Sequence, residues 1–194
     1  MEVGVLALQG AFREHRLVLE RMGIKSREVK KAEHLEGIDG LIIPGGESTT
    51  IGKLLVDFGI REPLLRLIEK GLPLFGTCAG MIVMAKEIVG SRQPRLGVMD
   101  IVVRRNAFGR QVDSFETDLE VKGIEGGPVR AVFIRAPYIE AAGEGVEILA
   151  EFAGKAVMAR QENCLATAFH PELTSDNRIH QLFIQMVEDY LRKK

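Results

Sequence analysis

The sequence holds little that would recruit a polyanion, a membrane or an oxidising compartment. Its 26 Lys and Arg are matched by 27 Asp and Glu, leaving a net charge of −1 over 194 residues. Such a balance provides no field to draw nucleic acid or an anionic bilayer. No apolar run approaches the roughly 20 residues needed to span a membrane. The start, Met1-Glu2-Val3-Gly4, lacks the basic segment and small-residue cleavage site of an export signal. Cysteine is scarce as well: Cys78 and Cys164 are the two present. Two cysteines without an export signal fit free thiols in a reducing compartment, so a cytoplasmic chain is expected. Repeats, low-complexity tracts and linkers are missing too, and one domain over residues 1–194 is expected.

What is present is an alternation of short apolar runs and amphipathic stretches. Val3–Leu8, Ser26–Val29, Gly40–Ile43 and Leu72–Phe75 read as buried strands. Between and after them, Ala11–Met22, Thr49–Phe58, Arg61–Lys70 and Met81–Glu87 read as helices. This order predicts a parallel sheet flanked by helices, with ligands at the carboxyl ends of its strands. The second half is richer in strands: Val98–Arg104, Phe115–Val121, Val129–Ile134, Glu147–Phe152, Ala156–Ala159 and Cys164–Phe169. They predict an antiparallel extension together with the remaining core strands, before a terminal helix over Asp176–Leu191.

Two glycine-rich turns fall at predicted strand ends. In Gly76-Thr77-Cys78-Ala79-Gly80 a sharp strand-to-helix turn would expose the Cys78 sulfur, with glycines flanking it to avoid collision. The following helix start favours thiolate over thiol. By itself the turn is equally compatible with a small buried cysteine in a capping turn. Cys164, in a strand-like run without glycines, reads as inert packing. The second turn, Pro44-Gly45-Gly46-Glu47-Ser48-Thr49, is no phosphate loop, because five residues separate Gly46 from Gly52 and Lys53 is followed by Leu54. It suits a backbone N–H donor for a reacting carbonyl, opposite Cys78.

A nucleophilic cysteine needs a base. Of the four histidines, His15, His34 and His180 read as surface or core-edge side chains. His170 ends a strand and precedes Pro171 and Glu172. In an extended segment Glu172 would share a side with His170, reach the far imidazole nitrogen and fix its tautomer. Cys78, His170 and Glu172 thus form a candidate catalytic set. Arg104-Arg105, read by composition alone, is a solvated edge.

Taken together, the Pro44–Thr49 loop, the Cys78 turn and His170-Pro171-Glu172 resemble the class I, triad-type glutamine amidotransferase family. Further blocks narrow the likeness: Leu6–Gly10, Gln93–Gly97, Arg104–Gln111, Asp113–Glu116 and Phe169–Thr174. They are similar to the glutaminase-subunit family of pyridoxal 5′-phosphate synthases across nearly the whole chain, without departure at the catalytic positions. The resemblance implies a flavodoxin-like, three-layer α/β fold with a mostly parallel central sheet and a small antiparallel extension. It implies hydrolysis of L-glutamine to glutamate and ammonia, with no metal or cofactor. It also implies a synthase partner that uses the ammonia to build the vitamin B6 cofactor. By position, Gly46, Glu47, Ser48, Arg105, Ile134 and Arg135 would bind glutamine, and Gly46 and Ala79 would donate to the oxyanion. Arg105 then becomes a carboxylate partner rather than a solvated edge. Gln9 and Gly10 would touch the synthase. The alternative within this class is a glutaminase serving another synthase, such as the imidazole glycerol phosphate enzyme.

Overall fold

A computed structural model describes residues 1–106 and 114–194. Twelve strands occur among them: β1 (Glu2–Leu6), β2 (Lys25–Val29), β3 (Gly40–Ile43), β4 (Leu74–Thr77), β5 (Ala85–Ile88), β6 (Met99–Arg104), β7 (Ser114–Leu119), β8 (Val129–Ile134), β9 (Tyr138–Ala142), β10 (Glu147–Phe152), β11 (Lys155–Gln161) and β12 (Cys164–Thr167). The helices are α1 (Phe12–Arg21), α2 (Ser48–Asp57), α3 (Arg61–Glu69), α4 (Ala79–Met84) and α5 (Arg178–Lys193).

Ten strands make one sheet, in the order β2-β1-β3-β4-β12-β11-β9-β6-β5, with β10 added on β11. From β2 to β12 every pairing is parallel. From β12 through β11 and β9 to β6 the pairings are antiparallel, and β5 returns parallel to β6. The hairpin β7–β8 stands apart as a two-stranded antiparallel sheet. The expected parallel core with an antiparallel extension is therefore present.

Composition explains the layout. The central strands β3, β4 and β12 are buried at every residue, as strands covered on both faces must be. At the sheet edge, β2 carries Lys25, Arg27 and Glu28. Arg27 and Lys25 pair with Glu2, and Arg16 of α1 pairs with Glu28 at 2.8 Å. Charge at this open edge opposes pairing with another chain. Phe183 and Val187 of α5 press on the core beside Phe75 and Gly40. Arg178, at the start of α5, donates to the carbonyls of Glu125, Gly127 and Pro128 and ties down the β7–β8 loop.

One expectation is corrected, and one strand is added. The predicted helix over Met81–Glu87 stops at Met84, and Ala85–Ile88 is strand β5. The run Met81-Ile82-Val83-Met84 is apolar on all sides, so its periodicity carries no information about where the helix ends. Strand β9 has no clear signal in the sequence, since Glu140, Ala141 and Ala142 have weak strand preference; pairing with β6 fixes it.

Candidate active site

Neighbouring register brings three strand ends together. Ile43 of β3 pairs with Gly76 of β4, and Thr77 of β4 pairs with Thr167 of β12. The Gly45-Gly46 turn, Cys78 and His170 therefore leave the same end of the sheet side by side. Cys78 has φ 51° and ψ −103°, a left-handed conformation that costs a non-glycine residue energy. Its N–H donates to the Thr167 carbonyl at 2.8 Å, anchoring the turn. Gly80 is required by close approach, since a Cβ there would lie 2.1 Å from the Ile43 oxygen. The Cys78 thiol faces the Ile134 carbonyl, with sulfur and oxygen 3.9 Å apart.

Gly45 sits between the cysteine and the histidine. A Cβ added to it would meet His170 Cε1 at 2.4 Å and Cys78 Cβ at 3.4 Å. The gap is too narrow for any side chain. His170 is fixed by its own N–H, which donates to the Val132 carbonyl at 2.8 Å, and by Nδ1, which lies 2.7 Å from Glu172 Oε1. The expected partnership is present, but it is reached differently. Pro171–Leu173 forms a 3-10 turn rather than an extended segment, and the turn brings the Glu172 carboxylate back to the ring.

Charge follows from this arrangement. Burial pushes His170 down, but interactions with Cys78 and Glu172 outweigh it and raise the imidazole to about 10. Burial pushes Glu172 up, and the neighbouring His15 and His170 more than offset it, holding the carboxyl below its ordinary range. A cationic ring beside an ionised carboxylate is the favoured state.

Behind Glu172 lies a chain of polar groups with no counterpart in the sequence reading. His15 and His180, expected at the surface or core edge, are fully buried. His15 Nε2 is 3.1 Å from Thr77 Oγ1, which also accepts the Gly45 N–H at 3.1 Å. One signal for these residues existed: His15 is spaced with Phe12 and Leu19, and His180 with Phe183 and Ile184, on apolar helix faces.

The predicted glutamine-binding residues divide into two groups. Gly46, Glu47 and Ser48 lead from Gly45, which meets Cys78, into the start of α2, and Ile134 turns its carbonyl to the Cys78 thiol. Gln9 Oε1 accepts the Glu47 N–H at 2.7 Å, so Gln9 and Gly10 brace this loop from below. The Glu47 carboxylate caps α2, accepting from the Thr50 N–H at 2.9 Å and from the Thr49 N–H at 3.4 Å. Partial burial pushes this carboxyl up, but those donors and the charge of Arg105 hold it below its usual range. Among the described residues, neither the Gly46 N–H nor the Ala79 N–H has a protein acceptor. Arg105 is one step removed: it donates to Gln93 Oε1 at 3.0 Å and lies 3.5 Å from Thr49 Oγ1. Gln93, a residue assigned no role from sequence, is thus its buried support. Arg135 is exposed, with φ 43°. The rest of the Arg104–Gln111 block, from 107 onward, and Asp113 lie outside the described residues.

The chain has close relatives among known proteins. It is 65% identical over 185 residues to the pyridoxal 5′-phosphate synthase subunit PdxT of Pelotomaculum thermopropionicum, covering 95% of this chain and 94% of that one. The PdxT of Carboxydothermus hydrogenoformans is 62% identical, with 96% and 98% covered. A crystal structure of a glutamine amidotransferase superposes with a TM-score of 0.92 at 57% identity, covering 96% of this chain and 98% of the other. The fold is accordingly the flavodoxin-like one of class I glutamine amidotransferases. The match to the family's own pattern extends over residues 5–189, and the chain belongs to the SNO glutamine amidotransferase family.

Proposed function

We propose that this chain hydrolyses L-glutamine to glutamate and ammonia as the glutaminase subunit of a pyridoxal 5′-phosphate synthase, delivering the ammonia to a separate synthase subunit. The observation that carries the reading is the meeting of Cys78, His170-Glu172 and the Gly45-Gly46 turn at one sheet end, in a chain 65% identical to a PdxT. The core cluster running from Val3 to Val187 supports a single domain over residues 1–194. Two unpaired cysteines support a cytoplasmic setting.

In the proposed reaction the Cys78 thiolate attacks the side-chain carboxamide carbon. The oxyanion takes hydrogen bonds from the Gly46 and Ala79 N–H groups. The His170 imidazolium, oriented by Glu172, gives its proton to the departing nitrogen as the C–N bond breaks, releasing ammonia and leaving a glutamyl thioester. Neutral His170 then takes a proton from water, whose oxygen attacks the thioester carbon. Collapse expels the Cys78 thiolate and yields glutamate. Glu47, Ser48 and the backbone at Ile134 and Arg135 contact the amino acid, and Arg105 pairs with its carboxylate, supported from behind by Gln93. The Gln9-Gly10 segment, adjacent to this loop, is the proposed synthase contact.

Glutamate release from glutamine, measured for the chain alone and with a pyridoxal 5′-phosphate synthase subunit, tests the reading. Hydrolysis raised by the synthase, with glutamine-dependent formation of pyridoxal 5′-phosphate, is expected. Activation by an imidazole glycerol phosphate synthase subunit instead would reassign the partner.

A further inference from the structure

We propose that His15, held in one tautomer by His180, is a positioning residue that keeps the Glu172 carboxylate ionised and turned toward His170; the inference rests on the glutaminase reading above. The triad leaves one atom unexplained. Glu172 Oε1 is occupied by His170, but Glu172 Oε2 is fully buried and has no hydrogen bond among the described residues. His15 Nε2 lies 3.6 Å from it, too long for a hydrogen bond but well within electrostatic reach.

Proton accounting fixes which form of His15 stands there. A lone pair on Nε2 would face an anionic oxygen in a site that excludes water, whereas an N–H there points its positive end at both Thr77 Oγ1 and Glu172 Oε2. With the proton on Nε2, His15 Nδ1 is an acceptor, and His180 Nε2, 2.9 Å away, donates to it. Among the described residues this leaves the His180 Nδ1 lone pair and the Thr77 hydroxyl proton without partners. The opposite arrangement, with Thr77 donating to His15 Nε2, strands a buried N–H at His180 Nδ1 and also leaves Glu172 Oε2 without any N–H directed at it, so the carboxylate decides the tautomer. Both rings pack edge-on against Phe75 of β4, at 6.2 Å for His15 and 5.7 Å for His180. Phe75 thereby holds the pair in register with Thr77 on the same strand, one residue before Cys78.

Burial favours the neutral form in both: it lowers His15 despite the opposing charge of Glu172, and it lowers His180 to about 3. A neutral donor suits the task. It stabilises the carboxylate, yet has no full charge with which to compete against the His170 imidazolium for it.

His15→Phe preserves a ring of similar bulk and removes the donor. His15→Gln replaces it with an amide N–H on a shorter reach to the same oxygens. In the complex with the synthase subunit, kcat for glutamine hydrolysis is expected to fall roughly tenfold or more in His15→Phe, because an orienting group behind the base is lost. KM for glutamine should stay within about twofold, and His15→Gln should recover most of kcat. Unchanged kcat in His15→Phe, a rise in KM alone, or a His15→Gln as impaired as the Phe variant would overturn the proposal. Should His15→Phe fail to fold, as read by thermal melting, His180→Phe takes its place: a lowered kcat at constant KM supports the tautomer argument, and wild-type kcat refutes it. Lack of glutamine turnover by the wild-type complex would instead sink the functional reading, before any variant is compared.

Discussion

The β4–β12 pair has a cysteine at each end, and the two could hardly differ more. At the amino end Cys164 pairs with Leu74 inside the sheet; at the carboxyl end Cys78 follows Thr77. Both are buried. Cys164 has only packing around it, and burial, reinforced by Glu162, pushes its thiol up to about 12. Cys78 stands in a left-handed turn at the start of α4, beside the His170–Glu172 pair and two open N–H groups. Burial is therefore common to the two thiols, and their surroundings are what differ. The decisive factor is what the backbone and the adjacent strands present to it, and in a parallel sheet only the carboxyl end gathers helix starts and loop N–H groups.

Swapping either cysteine for alanine should separate the two ends most widely. Cys78→Ala is expected to abolish glutamine hydrolysis, by about 10³-fold or more, while added ammonia still supports product formation by the synthase subunit. Cys164→Ala should leave kcat within about twofold and lower stability by about 1 kcal/mol, as loss of a small buried side chain does. Glutamate release and urea unfolding measure the two.

A smaller effect is expected at Gly45, where space rather than chemistry is altered. The added methyl of Gly45→Ala would stand 2.4 Å from His170 Cε1 and must displace the ring. We expect about 10²-fold lower kcat, the scale of a 1 Å misplacement of a reacting group, in a protein that still folds. Full activity in this variant would break the link drawn between the glycine turn and the histidine.

Alkali provides the mildest discrimination. His170 is raised to about 10 from an ordinary value of 6.5, so its protonated form stabilises the fold below pH 6.5 and that contribution is lost as pH rises toward 10. Cys164 is raised to about 12 from 9.0, so its neutral thiol likewise favours the fold, and the loss comes between pH 9 and 12. The stability difference between wild type and His170→Gln should shrink over the lower window, and that between wild type and Cys164→Ala should shrink and then reverse over the upper one. Each change amounts to a few kcal/mol at most, since one pKa unit corresponds to about 1.4 kcal/mol. Coincident windows would erase the distinction between the two ends.

Much of the site was legible because its requirements are local. A glycine beside a strand end, a cysteine between glycines and a carboxylate two residues past a histidine each announce themselves within a few positions. The Val129–Ile134 and Gly40–Ile43 strands were read to the residue for a similar reason, an apolar run stopped by a turn signal. Where local cues were silent the reading failed. Nothing within Met81–Met84 marks the switch to β5, and Pro171–Leu173 turns where an extended path was expected. His15 and His180 looked peripheral because each alone is a polar residue on a helix; they bond to one another across 165 positions.

By itself, then, the sequence determined the candidate site residues and the layered α/β architecture that holds them, since patterns of period two and 3.6 and turn residues act over short stretches. Only the tertiary structure decided that β3, β4 and β12 end side by side, that Gln93 stands behind Arg105, and that buried His15, backed by His180, faces the second oxygen of Glu172. Those facts come from packing between distant segments, where burial turns an ordinary polar side chain into one that must find a partner.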